Sequence, residues 1–145
     1  MDRFKICCAV HLFIIKDGKI LLQRRNNPNK HGYLKLGVPA GHLEQGENVN
    51  QAMVREAKEE LDIELTDFEM IQIMNLYGED NIYDAYFYLC KGYNGEIKNM
   101  EAENSKSLEW HDISKPIPDL MDYEQYALNK FLENPNNYFT LFGWE

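Results

Sequence analysis

Between Ala40 and Ile63 the chain reads AGHLEQGENVNQAMVREAKEELDI, a stretch that carries Glu44, Glu47, Glu56, Glu59 and Glu60. Drawn at about 100° per residue, the segment from Asn48 to Leu61 makes an amphipathic helix. Val49, Met53, Val54, Ala57 and Leu61 form its apolar stripe, and Glu56, Glu59 and Glu60 gather along one border of that stripe instead of spreading over the solvent side. Asn48 suits the N-cap, and Gln51 three residues on makes an approximate capping box. A solvated face accounts for glutamates on many helices, but Glu56 and Glu60 are like charges at i, i+4 with Glu59 beside them, which weakens an isolated helix. A hard divalent cation turns that repulsion into coordination, since Mg²⁺ takes oxygen ligands, typically one or two carboxylates alongside substrate phosphates and water.

The 145 residues are expected to form one domain, residues 1–145, large enough to bury a core without disulfides or structural metal. Fifteen Lys plus Arg against 24 Asp plus Glu leave a formal charge of −9. That sign repels nucleic-acid polymers and anionic membranes, so neither is an expected partner. An anionic substrate would need positive charge supplied locally, and a divalent cation supplies it. Cys7, Cys8 and Cys90 are odd in number, with no Cys-x-x-Cys, and are expected to be buried, reduced thiols of a cytoplasmic protein. The opening MDRFKICCAVHLFIIKDGK has basic residues before an apolar run. However, His11 interrupts the run, a charged turn replaces a cleavage site, and the run is too short to span a bilayer. It reads as a strand.

That strand, roughly Lys5 to Lys16, meets KILLQRR through Asp17-Gly18, a strong hairpin signal. The stretch NNPNKHGYLKLG, 26–37, reads as a loop. FEMIQIMNLYG and NIYDAYFYLCKGY read as two more strands, the second with Ile82, Asp84, Tyr86 and Tyr88 on one face and Tyr83, Ala85, Phe87 and Leu89 on the other. SLEWHDI is expected to be the last short strand. From Asp122, Tyr123, Ala127 and Phe131 recur at helical spacing until Pro135. Strands flanking an internal helix and a final helix make an α/β or α+β domain. His11, His31, His42 and His111 show no metal-ligand spacing and are expected to be structural or on the surface. Tyr138, Phe139, Phe142 and Trp144 either dock the end of the chain or stack on a base, and docking is the expected role.

The acidic stretch resembles the Nudix hydrolase signature, Gly-x5-Glu-x7-Arg-Glu-U-x-Glu-Glu-x-Gly-U, with U a bulky aliphatic residue. The pattern falls on Gly41, Glu47, Arg55, Glu56, Ala57, Glu59, Glu60 and Ile63, with the smaller Ala57 at the first U and Asp62 where the pattern has Gly. The order of hairpin, box, two strands, a Trp-containing strand and a final helix is also similar over nearly the whole chain. The resemblance implies the Nudix fold, a mixed β-sheet between helices in an α/β/α sandwich. It implies a pyrophosphohydrolase in which water attacks phosphorus in a nucleoside di- or triphosphate or a nucleoside diphosphate derivative. A small nucleotide is then the partner, and a homodimer is a further state that members of the family adopt.

By position in the signature, Glu56, Glu59 and Glu60 would be ligands of Mg²⁺, for which Mn²⁺ can substitute, helped by the backbone carbonyl of Ala40 and by Glu47. Arg55 would orient the carboxylates. The proton acceptor would be Glu56, or else Glu101 or Glu103 from a distant loop. Arg24 and Arg25 would reach phosphate, unless they are plain surface residues. A nucleotide-binding sensor without catalysis is the alternative reading; loss of a box glutamate would favour it, and none is lost. Isoprenoid diphosphate isomerase chemistry on the same fold lacks a supporting Cys/His arrangement here.

Asp62 occupies a position just past the helix, where the left-handed conformation favours Gly, then Asn and Asp. Asp62→Gly is therefore expected to leave turnover nearly unchanged and to leave stability equal or higher by up to about 1 kcal/mol. Thermal melting and steady-state kinetics test this, and a rate loss of orders of magnitude in a folded variant would assign Asp62 a chemical role.

Overall fold

The computed structural model describes residues 2–78 and 81–144. In chain order they form β1 (Cys7–Phe13), β2 (Ile15–Lys16), β3 (Lys19–Arg25), β4 (Leu36–Gly37), β5 (Ala40–His42), α1 (Val49–Leu61), β6 (Glu64–Gly78), β7 (Asn81–Asn94), β8 (Ser105–Asp112), α2 (Asp122–Glu133) and β9 (Phe139–Phe142). One mixed sheet runs in the order β5, β1, β7, β6, β9, with β1 parallel to β7 and β9 parallel to β6. In the second sheet β3 is central, with β8 along one edge and β2 and β4 in succession along the other.

Alternation along β1 shows why the first sheet needs a helix on each face. Val10 and Leu12 point into a cluster with Met53, Ala57 and Leu61 of α1. Phe13 points the other way, into a cluster with Ala127 and Leu128 of α2. A strand covered on both faces carries a continuous apolar run rather than a half-polar one. The sheet is thus sandwiched between α1 and α2, the α/β/α arrangement that the resemblance implies.

Helix α1 is fixed at both ends by local chemistry. Asn48 Oδ1 accepts from the Gln51 N–H and Gln51 Oε1 accepts from the Asn48 N–H, both at 2.9 Å, so the capping box is complete. At the other end Asp62 takes the left-handed conformation, φ 58°, and its N–H reaches Lys58 O.

Several expectations are corrected. The first apolar run is two strands, because β1 ends at Phe13 and β2 belongs to the other sheet; the Asp17-Gly18 turn, with φ 51° and 76°, joins β2 to β3. SLEWHDI lies in β8 but is not the last strand, since β9 follows α2. The cysteines are unpaired as expected, but Cys7 is exposed and Cys8 half-buried because both precede the buried run of β1, and Cys90 is half-buried at the border of the α1 cluster.

In the first turn of α2, Glu124 is 1% exposed. Its Oε1 accepts from the Val38 N–H at 2.8 Å, while Oε2 has no hydrogen-bond partner and lies 3.9 Å from His11 Nε2. Burial pushes this carboxyl up to about 7, against the opposing pull of the Val38 N–H, Arg25 and Tyr123. His11, stacked on Phe87 and bonded to the Tyr123 hydroxyl at 2.8 Å, is pushed by burial down to about 3 and is neutral. The folded-state value of Glu124 lies above the ordinary 4.5, so its contribution to stability is complete below 4.5 and is lost as pH rises through 7. Glu124→Gln keeps the Val38 bond and cannot ionise. Chemical denaturation from about pH 5 to 8 is therefore expected to show the variant gaining on wild type by up to about 3 kcal/mol, and parallel curves would mean that Glu124 does not titrate in the fold.

Candidate active site

Strand β5 runs antiparallel to β1, with Gly41 opposite Val10, and this brings its backbone under the flank of α1. A Cβ added at Gly41 would stand 2.0 Å from Glu56 Cδ and 2.1 Å from Oε1. Only glycine leaves room for the Glu56 carboxylate there. One helical turn on, Glu60 is 8% exposed and its Oε1 accepts from the Ala40 N–H at 3.0 Å. The acidic border of the helix thus faces the Ala40–Gly41 backbone at close range.

Arg55 organises the other carboxylates. Its Nε and Nη2 donate to the two oxygens of Glu47 at 3.0 and 2.7 Å. Its Nη1 donates to Glu56 at 2.8 Å and to Glu59 at 3.1 Å, and Nη2 also reaches His42 O at 3.0 Å. This planar, multi-donor use of a guanidinium has no equivalent in lysine. Bonding to Arg55, together with the Glu44 N–H, lowers Glu47 below the ordinary carboxylate range.

Glu56 and Glu60 both shift the other way from Glu47. Burial raises Glu56, with Glu59 and Glu101 adding to the rise and Arg55 opposing it. Burial pushes Glu60 up to about 9, with Glu56 and Glu101 adding and the Ala40 N–H and Gln23 amide opposing. Among the described residues no three acidic, His or Cys side chains are gathered as a ready-made metal cage. One oxygen of Glu60 is turned to the Ala40 N–H, and Arg55 holds Glu56 and Glu59. The donor set nevertheless fits a hard divalent cation. It consists of carboxylate oxygens, it is crowded enough for neighbouring carboxylates to raise Glu56 and Glu60, and it is partly dehydrated.

The other expected residues divide. Glu101, on the loop before β8, is near enough to raise both Glu56 and Glu60. That loop is docked on the end of α1 by Met100 N–H to Glu60 O and Lys98 N–H to Leu61 O. Glu103, two residues on, is exposed. Arg24 is bound by both oxygens of Glu109 at 3.0 Å, by Asp119 at 3.0 Å and by Leu34 O at 3.1 Å. Arg25 donates through Nε to His31 O at 3.0 Å, and its side chain lies beside Gly37 and Glu124. Sequence reasoning missed Gln23, which is 9% exposed and near enough to Glu60 to oppose its rise. Its one signal was a polar residue inside the apolar run KILLQRR.

The NUDIX domain profile matches residues 7–132. The ADP-ribose pyrophosphatase of Methanocaldococcus jannaschii is 51% identical over 127 residues, covering 81% of this chain and 68% of that one. The 8-oxo-dGTP diphosphatase of Escherichia coli is 30% identical over 109 residues, covering 75% and 81%. This chain spans 25% of the length of a longer Caenorhabditis elegans relative. The crystal structure of a MutT NUDIX hydrolase from Burkholderia pseudomallei superposes with a TM-score of 0.79 over 87% of this chain and 98% of that one, and at 24% identity it shows the shared fold. The chain belongs to the NUDIX family. In class it is a MutT-type hydrolase acting on phosphoric anhydride bonds, an enzyme class that generally uses a divalent metal.

Gly41→Ala is expected to push the Glu56 carboxylate out of place. An error of about 1 Å there should lower turnover on the order of 10²-fold, with little loss of stability, since the atoms displaced are the far end of a flexible side chain. Steady-state kinetics and Mg²⁺ titration calorimetry on the folded variant check this, and wild-type values in both would separate Glu56 from the chemistry.

Proposed function

We propose that this protein is a Mg²⁺-dependent pyrophosphohydrolase that cleaves the diphosphate bond of a nucleoside di- or triphosphate, or of a nucleoside diphosphate derivative, by attack of water on phosphorus. The observation that carries this reading is the buried Glu60 beside Glu56 under the Ala40–Gly41 backbone. Two carboxylates dehydrated together destabilise a fold, so their placement needs a reason outside stability.

Glu56, Glu59 and Glu60 would hold the cation, with Glu47 and the Ala40 backbone completing its surroundings. When bound, Mg²⁺ supplies the positive charge that offsets the diphosphate and makes a water more acidic. Arg55 ties Glu47, Glu56 and Glu59 to one guanidinium, which limits how far these carboxylates have to turn to take up a cation. Glu56 accepts the proton of the attacking water, and Glu101 is the alternative acceptor because it couples to the same pair. Of the two strand-end arginines, Arg25 is the better phosphate contact, since Arg24 is engaged with Glu109 and Asp119. Residues 1–145 act as one domain in this reading, in the cytoplasm, where unpaired cysteines persist. No described helix is long and apolar enough to cross a membrane.

The relatives' names put ADP-ribose and 8-oxo-dGTP first on a substrate panel. Chromatography would identify the products, AMP with ribose 5-phosphate from the first and 8-oxo-dGMP with pyrophosphate from the second. Chelator is expected to abolish turnover. Glu60→Gln and Glu56→Gln keep size and helix propensity, so metal-free melting should hold or rise slightly. Rates should fall about 10²–10⁴-fold, whereas near wild-type turnover in both variants would make these glutamates a charged surface only.

A further inference from the structure

Strand β9 ends the five-stranded sheet, and its outer edge pairs with nothing among the described residues. On its inner edge the Ile73 N–H donates to Tyr138 O at 2.8 Å, with Ile73 in register with Phe139. A parallel ladder uses alternate residues of each strand, so Phe139 and Leu141 turn their N–H and C=O groups outward. Their side chains are 57% and 55% exposed. The residues between and after them are anchored: the Thr140 hydroxyl donates to Gln72 Oε1 at 2.7 Å, and Phe142 packs on Tyr126 of α2. Beyond the strand, Gly143 at φ 82° sits where a Cβ would be 2.1 Å from Tyr77 O, and Trp144 Nε1 donates to Asn75 O at 3.1 Å. This edge is anchored from within, and among the described residues no strand pairs with it outside.

Edge strands are usually guarded by charge, proline, a bulge or very short length, and of these β9 has only its length of four residues. The edge strand β8 of the other sheet carries Lys106, Glu109 and Asp112. No charged residue occurs from Asn134 to Trp144, although the chain has a net charge of −9. Two copies of so acidic a chain repel over most of their surfaces, and this neutral strip is where they can meet without opposing like charges.

We propose that β9 pairs antiparallel with β9 of a second copy about a two-fold axis, joining the two five-stranded sheets into one. The pairing is self-complementary: Phe139 of one copy lies opposite Leu141 of the other, and each supplies the outward N–H and C=O that its opposite needs. Tyr77, Tyr138, Phe139, Leu141 and Trp144 are each about half exposed. At about 100 Å² apiece they give on the order of 500 Å² per copy, which is the lower end of a specific interface and sets a weak dimer.

Sedimentation of the full chain from about 1 to 100 μM covers the range in which such a dimer dissociates. Wild type is expected to pass from monomer to dimer across it. Leu141→Lys brings a charge to the shared edge, and Leu141→Pro removes an outward N–H while sparing the β6 ladder. Each should raise the dimer dissociation constant by about 10²-fold or more, with circular dichroism and turnover of dilute protein unchanged. Should either variant fail to fold, Phe139→Lys gives the same reading. A wild type that stays monomeric throughout, or folded variants that dimerise as wild type does, would overturn the proposal.

Discussion

Among the described residues Arg55 is the cation that binds the box glutamates, and the geometry of the site follows from how its donors are divided. Glu47, Glu56 and Glu59 each receive at least one N–H, and His42 O receives another. The guanidinium thereby ties the loop after β5 to the second turn of α1. Glu60 receives nothing from Arg55. Its hydrogen-bond partner is the neutral Ala40 N–H, and it is buried more deeply than Glu56, so burial raises Glu60 further. The helix therefore presents one carboxylate whose charge the protein does not balance, next to others whose charges it balances in part.

The segment from Leu36 to His42 is the seam on which this arrangement hangs. The Leu36 N–H goes to Asp119 O, and Leu36 O accepts from the Met121 N–H, which fixes the approach to α2. The Val38 N–H is taken by Glu124 of α2, Pro39 O accepts from the Leu12 N–H of β1, and the Ala40 N–H is taken by Glu60 of α1. Seven residues thus bridge both sheets and both helices. Two of their backbone donors end on buried glutamates from opposite faces of the five-stranded sheet, so the position of Ala40 and Gly41 under Glu56 is set by α2 as well as by α1. A loop with fewer such bonds would open locally at little cost.

What was legible in the sequence was what local interactions decide. The capping box at Asn48 and Gln51, the left-handed Asp62, the Asp17-Gly18 turn and the helical periodicities of α1 and α2 each involve residues a few positions apart. The spacing of the box glutamates was legible for the same reason, since one helix orders them. Pairings across long stretches of chain were not. Nothing in Cys7 to Phe13 announces a parallel partner at Tyr83 to Leu89, and nothing in Phe139 to Phe142 distinguishes a docked aromatic tail from a strand that extends a sheet. Glu124 reads as an ordinary first-turn acid of α2, and only the tertiary path of Val38 makes it buried. The expected burial of the cysteines failed likewise, because residue type sets a tendency while sheet position decides exposure.

The charge distribution links these observations. An acidic chain that acts on an anion needs positive charge at one place, and fixed arginines are one way to provide it. Here Arg24 is bound to Glu109 and Asp119, and Arg55 is bound to the box glutamates. Both are spent on holding carboxylates, whose own sign would repel a phosphate. On the proposed reading that repulsion has a use. Without a cation the Glu56 and Glu60 pair disfavours both its own ionisation and the arrival of a polyphosphate, and with one bound both become favourable together. Affinity for cation and for nucleotide are then coupled through the same two side chains, and by linkage each raises the other by the same factor.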